Sequence, residues 1–178
     1  MKHLRFAVLA LFLVVGALSF PTSARADVKI AVVDFQRILT ESSAGKNLQK
    51  QLDDAQKSFQ DDMKKQDQAL QATQAQLNKD EGKNSADVIQ KKADFEKKIV
   101  EARQDVAKKK ENLEKAANAA VNQLRTQAAE VIGDIAQKEK FSLVLNKGTV
   151  IMAEQSMDIT DSVLKGLNAK VTKIDLKL

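Results

Sequence analysis

Gly45-Lys46 is the pair in this sequence that comes nearest to a nucleotide site. A phosphate loop needs another glycine five residues before that one, so that backbone N–H groups can cradle phosphate. It also needs a Ser or Thr after the lysine to hold magnesium. Thr40 and Asn47 stand at those two positions, so no ATP site is evident. Asp80 to Asp87 has some of the acidic spacing of a calcium loop. Gly82 falls on its third ligand position, however, and Lys91 on the twelfth, where that loop supplies a Glu. Asp53-Asp54 and Asp61-Asp62 could imitate paired carboxylates, but nothing marks a pocket around them. The densest basic stretch is Lys91-Lys92, Lys97-Lys98, Arg103 and Lys108-Lys109-Lys110. It could make weak contact with anionic lipid or lipopolysaccharide. Asp94, Glu96, Glu101, Asp105, Glu111 and Glu114 interleave with it, so a solvated, internally paired helix face accounts for the same charges.

The residues that are missing narrow the chemistry further. There is no Cys, Trp or Tyr, and the single His (His3) and single Pro (Pro21) both lie near the start. That start has the parts of a cleavable secretory signal. Lys2 and Arg5 precede an apolar run from Phe6 to Phe20, and Ala24-Arg25-Ala26 places small residues where a signal peptidase cuts. The run is shorter than the roughly 20 apolar residues of a membrane-spanning helix. Residues 1–26 are therefore expected to be removed, leaving an exported chain that begins at Asp27. That chain would lack thiol and imidazole alike, which excludes zinc sites, Ser-His-Asp triads and Cys-His dyads. Of 29 Lys+Arg, Lys2, Arg5 and Arg25 would leave, so 26 basic residues face 24 acidic ones, a net charge of +2. So even a balance gives little support for nucleic-acid binding. No cofactor, metal or catalytic residue is expected, and the protein does not read as an enzyme.

The chain must then act through its shape. Val28, Ile30 and Val32 alternate with Ala31 and Val33, a short β-branched strand, and Asp34 is placed to cap a short helix through Ile38 and Leu39. Ser42-Ser43-Ala44-Gly45 punctuates the sequence. From about Ser43 to Lys79, Leu48, Leu52, Phe59, Met63, Leu70 and Leu77 step by threes and fours, one stripe of a long helix. A polar turn near 80–86 follows. A second helix from about Ala86 to Glu139 carries Phe95, Ile99, Ala102, Val106, Leu113, Ala117, Ala120, Leu124, Val131 and Ile135. At 1.5 Å per residue the two would extend roughly 55 Å and 80 Å. Acids four residues before lysines, as in Asp53/Lys57, Asp61/Lys65, Asp87/Lys91 and Glu111/Lys115, favour continuous helix.

Beyond the second helix, Phe141 to Asn146 and Thr149 to Ala153 read as a β-hairpin turning at Lys147-Gly148. Asp158 is placed to cap a last helix ending near Asn168. The alternating Lys173 to Leu178 is either a final strand or a frayed tail. The expected fold class is α+β and predominantly helical. A long antiparallel helical hairpin, residues 43–139, projects from a small β-rich body made of residues 27–42 and 140–178. Four aromatic residues after the signal (Phe35, Phe59, Phe95, Phe141) cannot build a large core. Short strands also leave open edges, so association of copies is the natural remedy.

The residues Lys29-Ile30-Ala31-Val32-Val33-Asp34, Gln36-Arg37-Ile38-Leu39 and Ser43-Ala44-Gly45-Lys46 resemble the start of the Skp/OmpH family of periplasmic chaperones. Phe141-Ser142-Leu143-Val144-Leu145-Asn146 and Asp158-Ile159-Thr160-Asp161 resemble its other end. The resemblance implies a homotrimer with a central strand barrel, whose arms enclose unfolded outer-membrane proteins without ATP. Met152, where relatives often carry an aromatic, and the tail after Asn168 depart from the pattern. On this reading Val28, Ile30, Val32, Leu143, Leu145, Val150 and Ile151 are expected in the trimer body. Met63, Leu70, Leu77 and Phe95 are candidates for client contact on the arm. The alternative is a structural coiled-coil spacer, or an adaptor hairpin of an envelope complex. Adaptors of that kind flank their hairpins with larger β domains than this chain offers.

Overall fold

A computed structural model describes residues 28–79 and 85–178. The expected signal, residues 1–26, and most of the expected turn lie outside the described residues. Ile30–Val33 form strand β1, and Asp34 then caps helix α1, Phe35–Glu41, by accepting the Arg37 N–H at 3.0 Å. The helical path breaks at Ser42, whose backbone is extended, and resumes as α2, Ser43–Lys79. The break is held by small residues. The Ser42 hydroxyl accepts the Gly45 N–H at 3.0 Å, and a Cβ on Gly45 would lie 1.9 Å from the Leu39 carbonyl oxygen.

Helix α3 spans Ala86–Glu139, opened by Ser85, whose Oγ accepts the Val88 N–H at 3.4 Å. It ends on Lys140 in the left-handed region, with φ 60°. That conformation lets the Phe141 N–H reach back to the Ala136 carbonyl at 2.9 Å and satisfies an end the helix cannot satisfy itself. Helices α2 and α3 run antiparallel. Leu77 shares a groove with Phe95, Met63 with Val106, and Phe59 with Leu113, so the partner number rises as the first falls. Lys109 crosses the pair to Asp62 at 2.9 Å. Leu77, Val88 and Ala102 are the buried contacts of its outer half. Nearer the base, α3 buries Ala116, Ala120, Leu124, Ala128 and Val131, where alanines allow close approach.

Strand β2, Leu143–Asn146, pairs with β1 in parallel, Ile30 opposite Leu143 and Val33 opposite Asn146. A β-hairpin was expected here, and the structure differs. Lys147–Thr149 form a 3-10 turn, because the Asn146 side chain accepts the Gly148 N–H at 3.2 Å. Val150–Ala153 then run on without a strand partner. The other flank of β1 is met by the chain at Asp158, and the Ile159 N–H donates to the Val32 carbonyl at 3.0 Å.

The last helix, α4, spans Thr160–Lys170, two residues past its expected end, and Ile159 rather than Asp158 is its N-cap. Asp158 still serves the first turn by accepting the Thr160 N–H at 2.9 Å. Lys173 to Leu178 form no strand, and they are no loose tail either: Ile174 is 2% exposed. One buried cluster unites Ala31 and Val33 of β1, Ile38 of α1, Leu48 of α2, Leu124 and Val131 of α3, Val163 and Leu167 of α4, and Ile174. Both ends of the described chain therefore close around the base of the helical pair.

Candidate functional site

The body presents several large apolar side chains to solvent. Val28 is 65% exposed, Leu143 46%, Met152 89% and Ile151 fully. Leu143 lies on β2, whose outer edge carries no strand among the described residues, and Ile151 and Met152 follow that strand in the chain. A cleft of about 650 Å³ opens beside them, lined by Arg37, Lys147, Val150, Ile151 and Asp158, among others. The expected body residues divide by position. Val28, Leu143 and Ile151 are exposed, Ile30, Leu145 and Val150 are half-buried, and Val32 is already buried within one copy. Val32 is thus occupied by its own chain, against the segment at Asp158.

The polar groups of this cleft are tied to one another. Lys147 Nζ donates to Asp158 at 2.7 Å, and Thr160, itself 1% exposed, gives Asp158 both its N–H and its hydroxyl hydrogen. The Thr160 hydroxyl oxygen in turn accepts the Asp34 N–H at 2.9 Å. Burial pushes the Asp158 carboxyl up, but the hydrogen bonds from Lys147 and Thr160 outweigh it and hold the pKa at about 2. Lys147 is raised by the same contact. Arg37 forks onto Glu41 at 2.9 Å and Asp161 at 3.2 Å, fastening α1 to α4. With Glu41, Asp158 and Asp161 each matched to a cation, these contacts brace the elements together, while Glu154 accepts only the Ser156 hydroxyl, at 3.3 Å.

On the arm, Met63 is 40% exposed, Leu70 and Phe95 are half-buried, and Leu77 is buried between the helices. Leu77 is therefore committed to packing the pair, while Met63 faces outward. The most open large apolar side chains on the arm are two that the stripe did not single out, Ile89 at 65% and Val100 at 52%. Their signal was present, since each is an apolar residue out of step with the stripe around it. Charges cover the rest. Lys91 meets Asp87 at 2.7 Å, Lys97 meets Glu101 at 3.8 Å, and Lys110 meets Glu114 at 3.9 Å. Much of the basic stretch is thus matched locally. Lys109 instead reaches across the pair to Asp62.

Among the described residues no three His, Cys, Asp or Glu gather as metal ligands, and no helix is long and apolar enough to cross a membrane. The geometry defines a protein that offers surfaces: a two-helix arm of mixed charge above a small β base with exposed apolar side chains. The model of the family described as outer membrane protein (OmpH-like) matches residues 29–167, and the chain belongs to that family. No curated protein matches it. Among solved structures it is similar to an OmpH-like chain from Caulobacter crescentus CB15. The TM-score is 0.78 at 19% identity, over 84% of this chain and 91% of that one. At that identity the likeness speaks for the fold.

Proposed function

We propose that this protein is an ATP-independent holdase of the periplasm. In this reading it binds unfolded outer-membrane proteins and keeps them from aggregating. The observation that carries the reading is the arm surface, where Met63, Ile89 and Val100 stand exposed among charged residues on helices. An unfolded β-barrel chain exposes apolar side chains and unpaired backbone, and it aggregates when two such chains meet. Helices have satisfied their own backbone and offer no sheet edge for the client to extend. Scattered apolar contacts are individually weak, so several arms must act on one chain. The exposed apolar side chains of the body support self-association as a homotrimer, with residues 27–42 and 140–178 as its base. Export after cleavage at Ala26 completes the reading, and the exported protein should begin at Asp27 by mass spectrometry.

The test is dilution of an unfolded outer-membrane β-barrel from denaturant, followed by light scattering. The exported chain should suppress scattering with no nucleotide present. Deleting Leu70 to Phe95 should remove that protection and leave the assembly intact. Equal protection by the shortened chain would sink the arm as the holding surface.

A further inference from the structure

The family match ends at residue 167, but the chain continues to Leu178, and its last stretch is bound as a peptide would be. Ile174 is 2% exposed within the cluster that includes Leu48, Ala120 and Leu124, and Leu176 packs against that cluster. Between them Gln51 of α2 uses both ends of its amide. Its Nε2 donates to the Ile174 carbonyl at 2.7 Å, and its Oε1 accepts the Leu176 N–H at 2.9 Å. The same Nε2 also donates to Asn47 Oδ1 at 2.7 Å, which fixes the orientation of the amide. Further along, Leu178 borders a groove of about 280 Å³ formed with Ala55, Phe59 and Leu113. Lys173, Asp175 and Lys177 remain exposed on the other side.

Little in this arrangement depends on the sequence of the tail. Gln51 recognises a backbone C=O and N–H, which nearly any residue offers. The apolar surface asks only for a hydrophobic side chain at every second position. An extended segment destined for one face of a β-sheet has that pattern, since alternate side chains of a strand point the same way. We propose that the groove along α2 and α3 is a docking site for extended segments with apolar residues at alternate positions. Residues 173–178 fill it as a tethered stand-in. The proposal rests on the holdase reading for the identity of the incoming segment, though not for the existence of the site. A tethered occupant competes at an effective concentration of about millimolar. Only a segment already held elsewhere on the protein would then displace it, so the groove opens late in client capture.

The probe is a fluorescein-labelled peptide with the sequence of residues 170–178, followed by anisotropy against the full chain. Ile174→Asp with Leu176→Asp should expel the tail, and the opened chain should bind the peptide at least about tenfold more tightly than the unaltered chain. Adding Gln51→Ala should take back much of that gain, and a peptide of the same composition with its apolar residues placed side by side should not bind. An opened chain that keeps its helical circular dichroism yet gains no affinity would overturn the proposal, as would equal binding of the peptide without alternation. Hydrogen exchange gives a second measurement that needs no variant. Adding an unfolded outer-membrane protein to the unaltered chain should speed exchange at the Leu176 amide, and unchanged protection there would count against the site. Failure of the holdase reading would look different, with peptide binding intact and aggregation unsuppressed.

Discussion

The side-chain oxygen of Asn168 accepts the backbone N–H of Ser43 at 2.7 Å, so the last helix caps the first turn of the arm. Helix starts leave N–H groups that their own turns cannot satisfy. The Ser42 hydroxyl takes one of them, at Gly45, and Asn168 takes another from 125 residues away. Asn168→Ala should therefore lower stability by about 1 kcal/mol. Asn168→Asp, which keeps an acceptor, should cost less. Urea unfolding of the two variants side by side measures the difference.

Gly45 and Gly133 should respond to alanine in opposite directions. A Cβ on Gly45 meets the Leu39 carbonyl oxygen at 1.9 Å, and backbone cannot move aside as a flexible side chain can. Gly45→Ala should cost more than about 2 kcal/mol, through strain at the junction of α1 and α2. Gly133 has nothing within 4 Å of the same position and lies inside α3. There alanine should add about 0.5–1 kcal/mol from helix propensity. Thermal unfolding of both variants checks the pair.

Acid should loosen the base of the molecule through Asp158. Its folded pKa of about 2 lies below the ordinary 3.8, so the unfolded chain takes up the proton first as pH falls. The stabilisation is fully present above about pH 4 and is lost as pH drops towards 2. Its size is on the order of 2 kcal/mol at most, because the side chain is 20% exposed. Asp158→Asn should lower stability at pH 7 and flatten the acid limb between pH 4 and 2, as read from urea midpoints across that range.

Ile151 should matter to the assembly and not to the single chain. Its side chain is fully exposed in one copy, so a charge placed there disturbs no internal packing. Ile151→Asp should leave the helical circular dichroism unchanged and shift sedimentation from the proposed trimer towards monomer. An unaltered sedimentation profile would remove this residue from the interface.

The helices were legible because their information is local. The stripe from Leu48 to Leu77, the acids four residues before lysines and the polar break between the helices each act within a turn or two. The β segments were not, for two physical reasons. Thr149 to Ala153 has strand composition, but the Asn146 side chain closes a tight turn on Gly148, and no strand among the described residues meets Val150–Ala153. The strand next to β2 is β1, more than 100 residues earlier, and no periodicity reveals such a pairing. The tail shows the same limit. Its alternation was visible, but the amide of Gln51 that holds it lies 123 residues away. Of the surface positions, Val28, Leu143, Ile151 and Met63 were found as apolar residues and are exposed. Leu77 followed the same stripe, and only the packing of α3 shows it to be internal.

The parallel pairing of β1 with β2 also dictates an order of events in time. Residue 30 must wait for residue 143, so the whole helical pair has to be threaded out before the first strand has a neighbour. Contacts that distant form slowly, whereas a helix grows from its own neighbours within microseconds. As the chain emerges the helices can therefore form early, leaving Ile30 to Val33 unpaired and sticky until Leu143 to Asn146 follow. A chain stalled before Leu143 would be all arm and no base, itself a candidate for aggregation.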